Sequence, residues 1–166
     1  MYRTIDDFIT DWKSEREMTA KVFDTLTDAS LAQKVYPGGR TLGFIAWHLV
    51  LSLVEMGNKS GLGVMGPSED APEPSRAAEI AAAYRTAAAS LSDRVKAVWT
   101  DKDCLEDINL YGEPWKKGYL LAVIIRHEAH HRGQMTVLMR QAGLKVPGVC
   151  GPSREEWAQY GMPEQK

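Results

Sequence analysis

An all-α fold, a four-helix bundle with long loops and a short C-terminal helix, is what this chain of 166 residues predicts. Four long segments repeat apolar residues every three to four positions, and no stretch between them alternates convincingly over strand length. The glycine- and proline-rich stretches fall between those segments, as connections in a helical bundle should.

In the first segment Ile5, Phe8, Ile9, Trp12, Val22, Phe23 and Leu26 recur at helical spacing. Thr4 is the expected N-cap, with Asp6 and Asp7 near the positive end of the helix dipole. A break at Tyr36-Pro37-Gly38-Gly39 precedes helix two, which Thr41 caps and which should end near Gly57-Asn58 in a left-handed terminus. Residues 58–75 read as loop. Helix three is expected from an N-cap at Ser75 to Trp99, with Ile80, Tyr84, Leu91, Val95 and Val98 on one face. Between Thr100 and Gly118 a short strand and an ordered loop fit equally well, with a turn at Tyr111-Gly112-Glu113-Pro114. Helix four should run from near Gly118 to Gln141 and stop at Ala142-Gly143. After a Pro/Gly-rich tail, Ser153-Arg-Glu-Glu156 has the capping-box pattern of a last short helix through Trp157 and Tyr160.

The bulk numbers exclude several classes. The length suits one domain, residues 1–166, with a core that needs no staples. Twenty basic and 22 acidic residues give a net charge of -2, spread without a basic face for nucleic acid. The most apolar window, Leu42 to Met56, falls short of the roughly 20 residues of a membrane span and contains His48, so no membrane association is expected. Cys104 and Cys150 fit no metal or redox spacing, and the first residues lack an apolar signal core; a cytoplasmic protein with reduced thiols is expected.

Chemistry concentrates in His127-Glu128-Ala129-His130-His131, which holds three of the four histidines. Residues four apart share a helical face, so His127 and His131 can address one divalent cation, whereas His130 is turned about 100° from His131. Leu120, Ile124, His127, His131, Gln134 and Leu138 form one seam, expected to face the core. The fourth histidine, His48, is a lone polar ring in an apolar helix, on the face that also carries Ile45, Ser52 and Glu55; a ligand role would offset the cost of burying it. Three imidazoles from two helices leave a fourth position open, the arrangement of a catalytic zinc site, and nickel suits the same donors. Gln134, Glu128 and His130 are candidates for supporting the ligands, and Trp47 and Tyr84 for lining a pocket or packing the core. His127-Glu128-x-x-His131 also matches a metalloprotease signature with Glu128 as base. Its extended form fails, because Gln134 stands three positions on and no histidine follows; a third ligand would have to come from Glu155 or Glu156.

Three segments together, Thr41-Leu-Gly-Phe-Ile-Ala-Trp-His48, His127-Glu-Ala-His-His-Arg-Gly-Gln134 and Gly151-Pro-Ser-Arg-Glu-Glu-Trp157, closely resemble the DinB-like (YfiT-like) bacterial metal-binding proteins, which are unrelated to the DNA polymerase of that name. The resemblance spans nearly the whole chain. It implies a four-helix bundle, often dimeric, with a divalent metal on the residues matching His48, His127 and His131. It also implies the functional range of that family: S-transferases and isomerases using bacillithiol or mycothiol, proposed hydrolases, and members without a known reaction. The expected function is therefore a metal-dependent enzyme activating water or a low-molecular-weight thiol toward a small-molecule substrate, as an S-transferase or hydrolase. The alternatives are a non-catalytic metal-stabilised binding or stress-response module and, remotely, the protease. A homodimer is expected both from the resemblance and from apolar surface at Leu53, Val54, Trp99 and the alanine-rich third helix.

Overall fold

The computed structural model describes residues 1–164. Helix α1 spans Ile5–Asp24, and the Thr4 side chain accepts a hydrogen bond from the Asp7 N–H at 3.3 Å. Ile5, Phe8, Trp12, Glu15, Thr19, Val22 and Phe23 are buried, steps of three and four that form one inward stripe. The helix stops two residues short of Leu26, which is nonetheless buried. A 3-10 turn at Asp28–Ala32 follows.

Helix α2 spans Leu42–Lys59, capped by the Thr41 hydroxyl on the Phe44 N–H at 2.9 Å. It runs past the expected stop at Gly57-Asn58. Gly57 serves packing here instead of ending the helix: a Cβ on it would lie 2.3 Å from Val64 Cγ2, so its bare Cα admits the returning loop. The left-handed residue comes later, at Gly61 with φ +81.

Helix α3 spans Ala77–Val98, and Ser75 does not cap it. The orphan N–H of Ala77 instead donates to Asp28 Oδ1 at 2.8 Å, a cap supplied by a residue 49 positions away and invisible to local sequence patterns. Val98, expected on the buried face, is 41% exposed at the helix end.

The open choice over residues 100–118 resolves into a hairpin, β1 (Asp107–Leu110) antiparallel to β2 (Glu113–Lys116). Tyr111 and Gly112 turn it with φ of 56 and 84, the paired positive values of a type I′ turn. Helix α4 spans Lys117–Gln141 and ends as expected, with Gly143 at φ +76 and Leu144 N–H bonding Met139 O at 2.9 Å. The last turn, Arg154–Tyr160, is 3-10 rather than α-helical.

The helices form a closed ring in the order α1, α3, α2, α4, each packed on two neighbours. Thus α2 and α4 lie side by side, while α3 faces α4 across the core. Trp12 Nε1 donates to Ala88 O at 3.0 Å between α1 and α3, and Phe23 stacks on Tyr84 with ring centroids 4.5 Å apart. Each such ring removed from water contributes roughly 1.5–3 kcal/mol. Leu53, Val54 and Trp99 are buried within the chain itself, so they offer no surface to a second copy; the loop at Gly66 and Val64 covers part of α2. No described helix is long and apolar enough to cross a membrane.

Candidate metal centre

The site lies on the flank where α2 meets α4. The ligand-capable nitrogens of His48, His127 and His131 all fall within 4.8 Å of one another. Nε2 of His127 lies 3.2 Å from Nε2 of His48 and 3.1 Å from Nε2 of His131. Nitrogens bonded at about 2.05 Å to one tetrahedral ion stand about 3.3 Å apart, so the observed spacing suits a shared cation.

The far side of two rings identifies what their Nε2 atoms carry. His131 Nδ1 is 2.7 Å from Gln134 Oε1, an acceptor, which places the ring proton on Nδ1. His127 Nδ1 is 3.4 Å from Ser52 Oγ, whose own proton goes to Leu49 O at 3.1 Å, so the serine oxygen also accepts. Both Nε2 atoms then present lone pairs to each other across 3.1 Å. Two facing lone pairs repel, and a cation between them reverses the sign. The donor set therefore fits a divalent metal, and Gln134 and Ser52 are the groups that fix its tautomers.

Electrostatics keep the rings in the ligand form. Burial, then the neighbouring imidazoles of His131, His48 and His130, lower the His127 pKa to about 4. Burial is also the main cause holding His48 and His131 below the usual value, with the Arg40 charge adding to the effect on both. All three are neutral near pH 7, ready to coordinate without first losing a proton.

The remaining site candidates separate. Gln134 is on the outer surface and touches both His131 and, through Nε2, the exposed His130 at 3.2 Å. His130 thus reaches the cluster only through Gln134 and by ring contact with His131 at 4.8 Å. Glu128 faces the opposite way. A candidate for supporting the ligands, it is instead 1% exposed, with Oε2 accepting from the Tyr84 hydroxyl at 3.0 Å across the core. Its Oε1 has no partner, and burial pushes its pKa up to about 7. One turn further, Arg132 is buried too, bonding Thr19 Oγ1 at 3.0 Å and ion-pairing with Glu15 of α1. The core stripe of α4 therefore runs through Ile124, Glu128, Arg132 and Met135, while His127 is only half-buried and Gln134 exposed. Sequence periodicity turned the helix too far because it assigns charged residues outward; here their partners come from α1 and α3.

That geometry removes the protease reading. Glu128 points away from the histidines, Glu155 pairs with Arg140, and Glu156 accepts from Gly148 and Ser153 N–H groups at 2.9 Å in the tail. Among the described residues no carboxylate joins the cluster. Tyr84 is a core ring, and Trp47 packs with its Nε1 on Ala71 O at 2.9 Å; neither lines the site. Cys104 is buried and Cys150 exposed, both free. Sequence reasoning gave no role to Arg40 and Phe44: the Phe44 ring stacks parallel to His48 at 6.3 Å, and Arg40 lies over Phe44 at 5.0 Å. The signal available was spacing, since Phe44 precedes His48 by one helical turn.

Fold and site together define a helical bundle with a three-histidine cluster open to one flank. The sequence profile of the DinB family matches residues 1–166, and the chain belongs to that family. It is 43% identical over 166 residues to the uncharacterized protein YrdA of Bacillus subtilis (strain 168), covering 100% of this chain and 99% of that one. A crystal structure of a DinB-like protein from Bacillus cereus ATCC 10987 superposes with a TM-score of 0.86 at 44% identity, covering 90% of this chain and 99% of that one. A second, YjoA from Bacillus subtilis, shares the fold at 17% identity with a TM-score of 0.68, covering 86% and 97%.

Proposed function

We propose that this protein, as one domain over residues 1–166, is a divalent-metal-dependent enzyme in which His48, His127 and His131 hold the ion. The observation that carries this reading is the convergence of three imidazole nitrogens within 4.8 Å of one another, with His127 Nε2 3.1 Å from that of His131 and 3.2 Å from that of His48. Three neutral imidazoles suit zinc first and nickel next. A divalent ion held there supplies a Lewis acid that brings the pKa of a bound water or thiol toward neutrality. The chain's own contribution is to hold the rings neutral, orient them, and leave one side of the cluster toward solvent: His48 and His127 are half-buried rather than sealed.

With Glu128 turned into the core, no carboxylate among the described residues joins the histidine cluster itself. That favours S-transfer with a low-molecular-weight thiol over hydrolysis, because coordination itself lowers a thiol's pKa. The same absence gives the second reading its support, a cytoplasmic metal-stabilised binding module without turnover.

Elemental analysis and chelator competition on protein prepared without affinity-metal resin test the site. One bound zinc or nickel per chain is expected, lost in His48→Ala, His127→Ala and His131→Ala and kept in His130→Ala; equal loss in all four overturns the assignment. Cobalt-substituted protein then separates the two readings. A change in its visible spectrum on adding a bacillithiol-like thiol, with S-alkylation of that thiol by an electrophile, supports the enzyme, and a spectrum indifferent to every thiol supports the module.

A further inference from the structure

Beside the histidines, where the chain crosses from the break before α2 onto the last turns of α4, lies a groove of about 460 Å³. Val35, Ile45, Val137 and Leu138 form its apolar wall, and the Arg40 guanidinium, the Gln134 amide and the exposed Tyr36 ring line it as well. That volume is within the roughly 300–1,000 Å³ of small-molecule sites, and the mixture of apolar wall and few polar groups is theirs too. Val35 is 60% and Val137 55% exposed, and Phe44, at the Arg40 end, is 43% exposed. Large apolar residues left bare around one cation are a surface awaiting an occupant.

Two contacts tie the groove to the metal centre. Gln134 lines it and holds His131 Nδ1 at 2.7 Å; Arg40 lies over the Phe44 ring, which stacks on His48. Among the described residues Arg40 has no carboxylate within salt-bridge reach. An unpaired guanidinium whose planar fork matches a carboxylate, next to walls that match hydrocarbon, selects for both properties in one molecule.

We propose that this groove binds an amphipathic carboxylate, with Arg40 receiving the carboxylate and Val35, Ile45, Val137 and Leu138 taking the apolar body, beside the metal centre to which Gln134 joins the groove. The assignment of this molecule as substrate rests on the metal-enzyme reading above; the groove's selectivity does not.

Calorimetric titration with octanoate, acetate, octylamine and inorganic phosphate tests it, on metal-free protein and on protein loaded with zinc. Octanoate should bind both forms, and acetate and octylamine should bind at least about tenfold more weakly, since each lacks one of the two recognised features. Arg40→Gln should weaken octanoate by roughly tenfold to a hundredfold, the worth of a charge-assisted pair, and leave zinc stoichiometry unchanged. Arg40→Lys should fall between, keeping the charge without the fork. Val137→Glu should abolish octanoate binding by placing like charge on the wall. Octylamine or phosphate binding as tightly as octanoate, or octanoate affinity unchanged in Arg40→Gln, overturns the proposal. Arg40-dependent octanoate binding by protein that takes up no zinc leaves the groove standing and removes the metal reading; zinc uptake without octanoate binding does the reverse. His127→Ala in the zinc series excludes capture of octanoate by the ion alone, because its octanoate affinity should match that of the metal-free parent.

Discussion

Gln134 decides which nitrogen of His131 faces the centre. Its Oε1 takes the Nδ1 proton at 2.7 Å, so Gln134→Ala frees the ring to change tautomer or swing. Zinc affinity should then fall by about 10–100-fold in chelator competition, as when comparable supporting groups are removed elsewhere. His130→Ala, which removes the 3.2 Å contact to Gln134 and a ring contact with His131 but leaves the Gln134–His131 bond in place, should cost much less. Glu128 gives a second prediction at this scale, one about stability. Burial raises its folded pKa to about 7 from an ordinary 4.5, so the folded state holds the proton better than the unfolded chain does. The resulting stabilisation is complete below pH 4.5 and is lost as pH rises through about 7. Glu128→Gln keeps an acceptor for Tyr84 and cannot ionise, so its gain over the parent should be small near pH 4.5, grow as pH rises and level off above about 7. Urea unfolding at about pH 4.5 and about pH 8.5 reads the difference, and an equal gain at both refutes it.

Among the elements, α4 was legible in extent and illegible in rotation. Its apolar period, its Gly143 stop and its paired histidines are all written locally, as are the Thr4 and Thr41 caps of α1 and α2. What a local pattern cannot carry is a partner from another helix. Asp28 caps α3 from far upstream, and Glu15 and Thr19 receive Arg132 across the bundle, so Ser75 does not make the cap expected of it, and the core stripe runs through Glu128 and Arg132 instead of Gln134. The hairpin stayed ambiguous because strands of four residues with Pro114 inside one of them leave too short an alternation to count. The pairing of His127 with His131 was readable from their spacing of four, and His48 from its isolation in an apolar helix; how far each face turns toward the core was not. The buried pair supplies the test at this scale. Arg132→Met strands the Glu15 carboxylate and Glu15→Met strands the guanidinium, and each should destabilise by about 3–5 kcal/mol in denaturant unfolding. The combination Glu15→Met with Arg132→Met removes both charges, and its loss should be smaller than either single change; additive losses would mean that the two residues act separately.

For the whole molecule, acid should act through the metal centre first. The three imidazoles are held below their ordinary value of 6.5 in the folded chain, His127 to about 4, so the unfolded chain takes up protons before the folded one. The imidazoles' contribution to the stability of the metal-free protein is therefore full above pH 6.5 and declines as pH falls toward about 4. Excess zinc, which binds the folded state, should raise the melting temperature, and the rise should shrink over the same interval as protons compete for the rings. A zinc-induced shift that is as large at the acid end as at neutrality would place the ion on other ligands. His127→Ala should remove both the shift and its pH dependence.

The spacing of the ligands along the chain also sets a timetable. His48 is 79 residues upstream of His127, with all of α3 and the hairpin between them. A growing polypeptide made from its N-terminus has only one of the three imidazoles until α4 emerges, and α2 gains its neighbour in the ring only then. An ion that needs all three imidazoles would therefore be taken up only after α4 has emerged. A stalled nascent product ending before Lys117 should take no zinc from a weak chelator, whereas the released protein should.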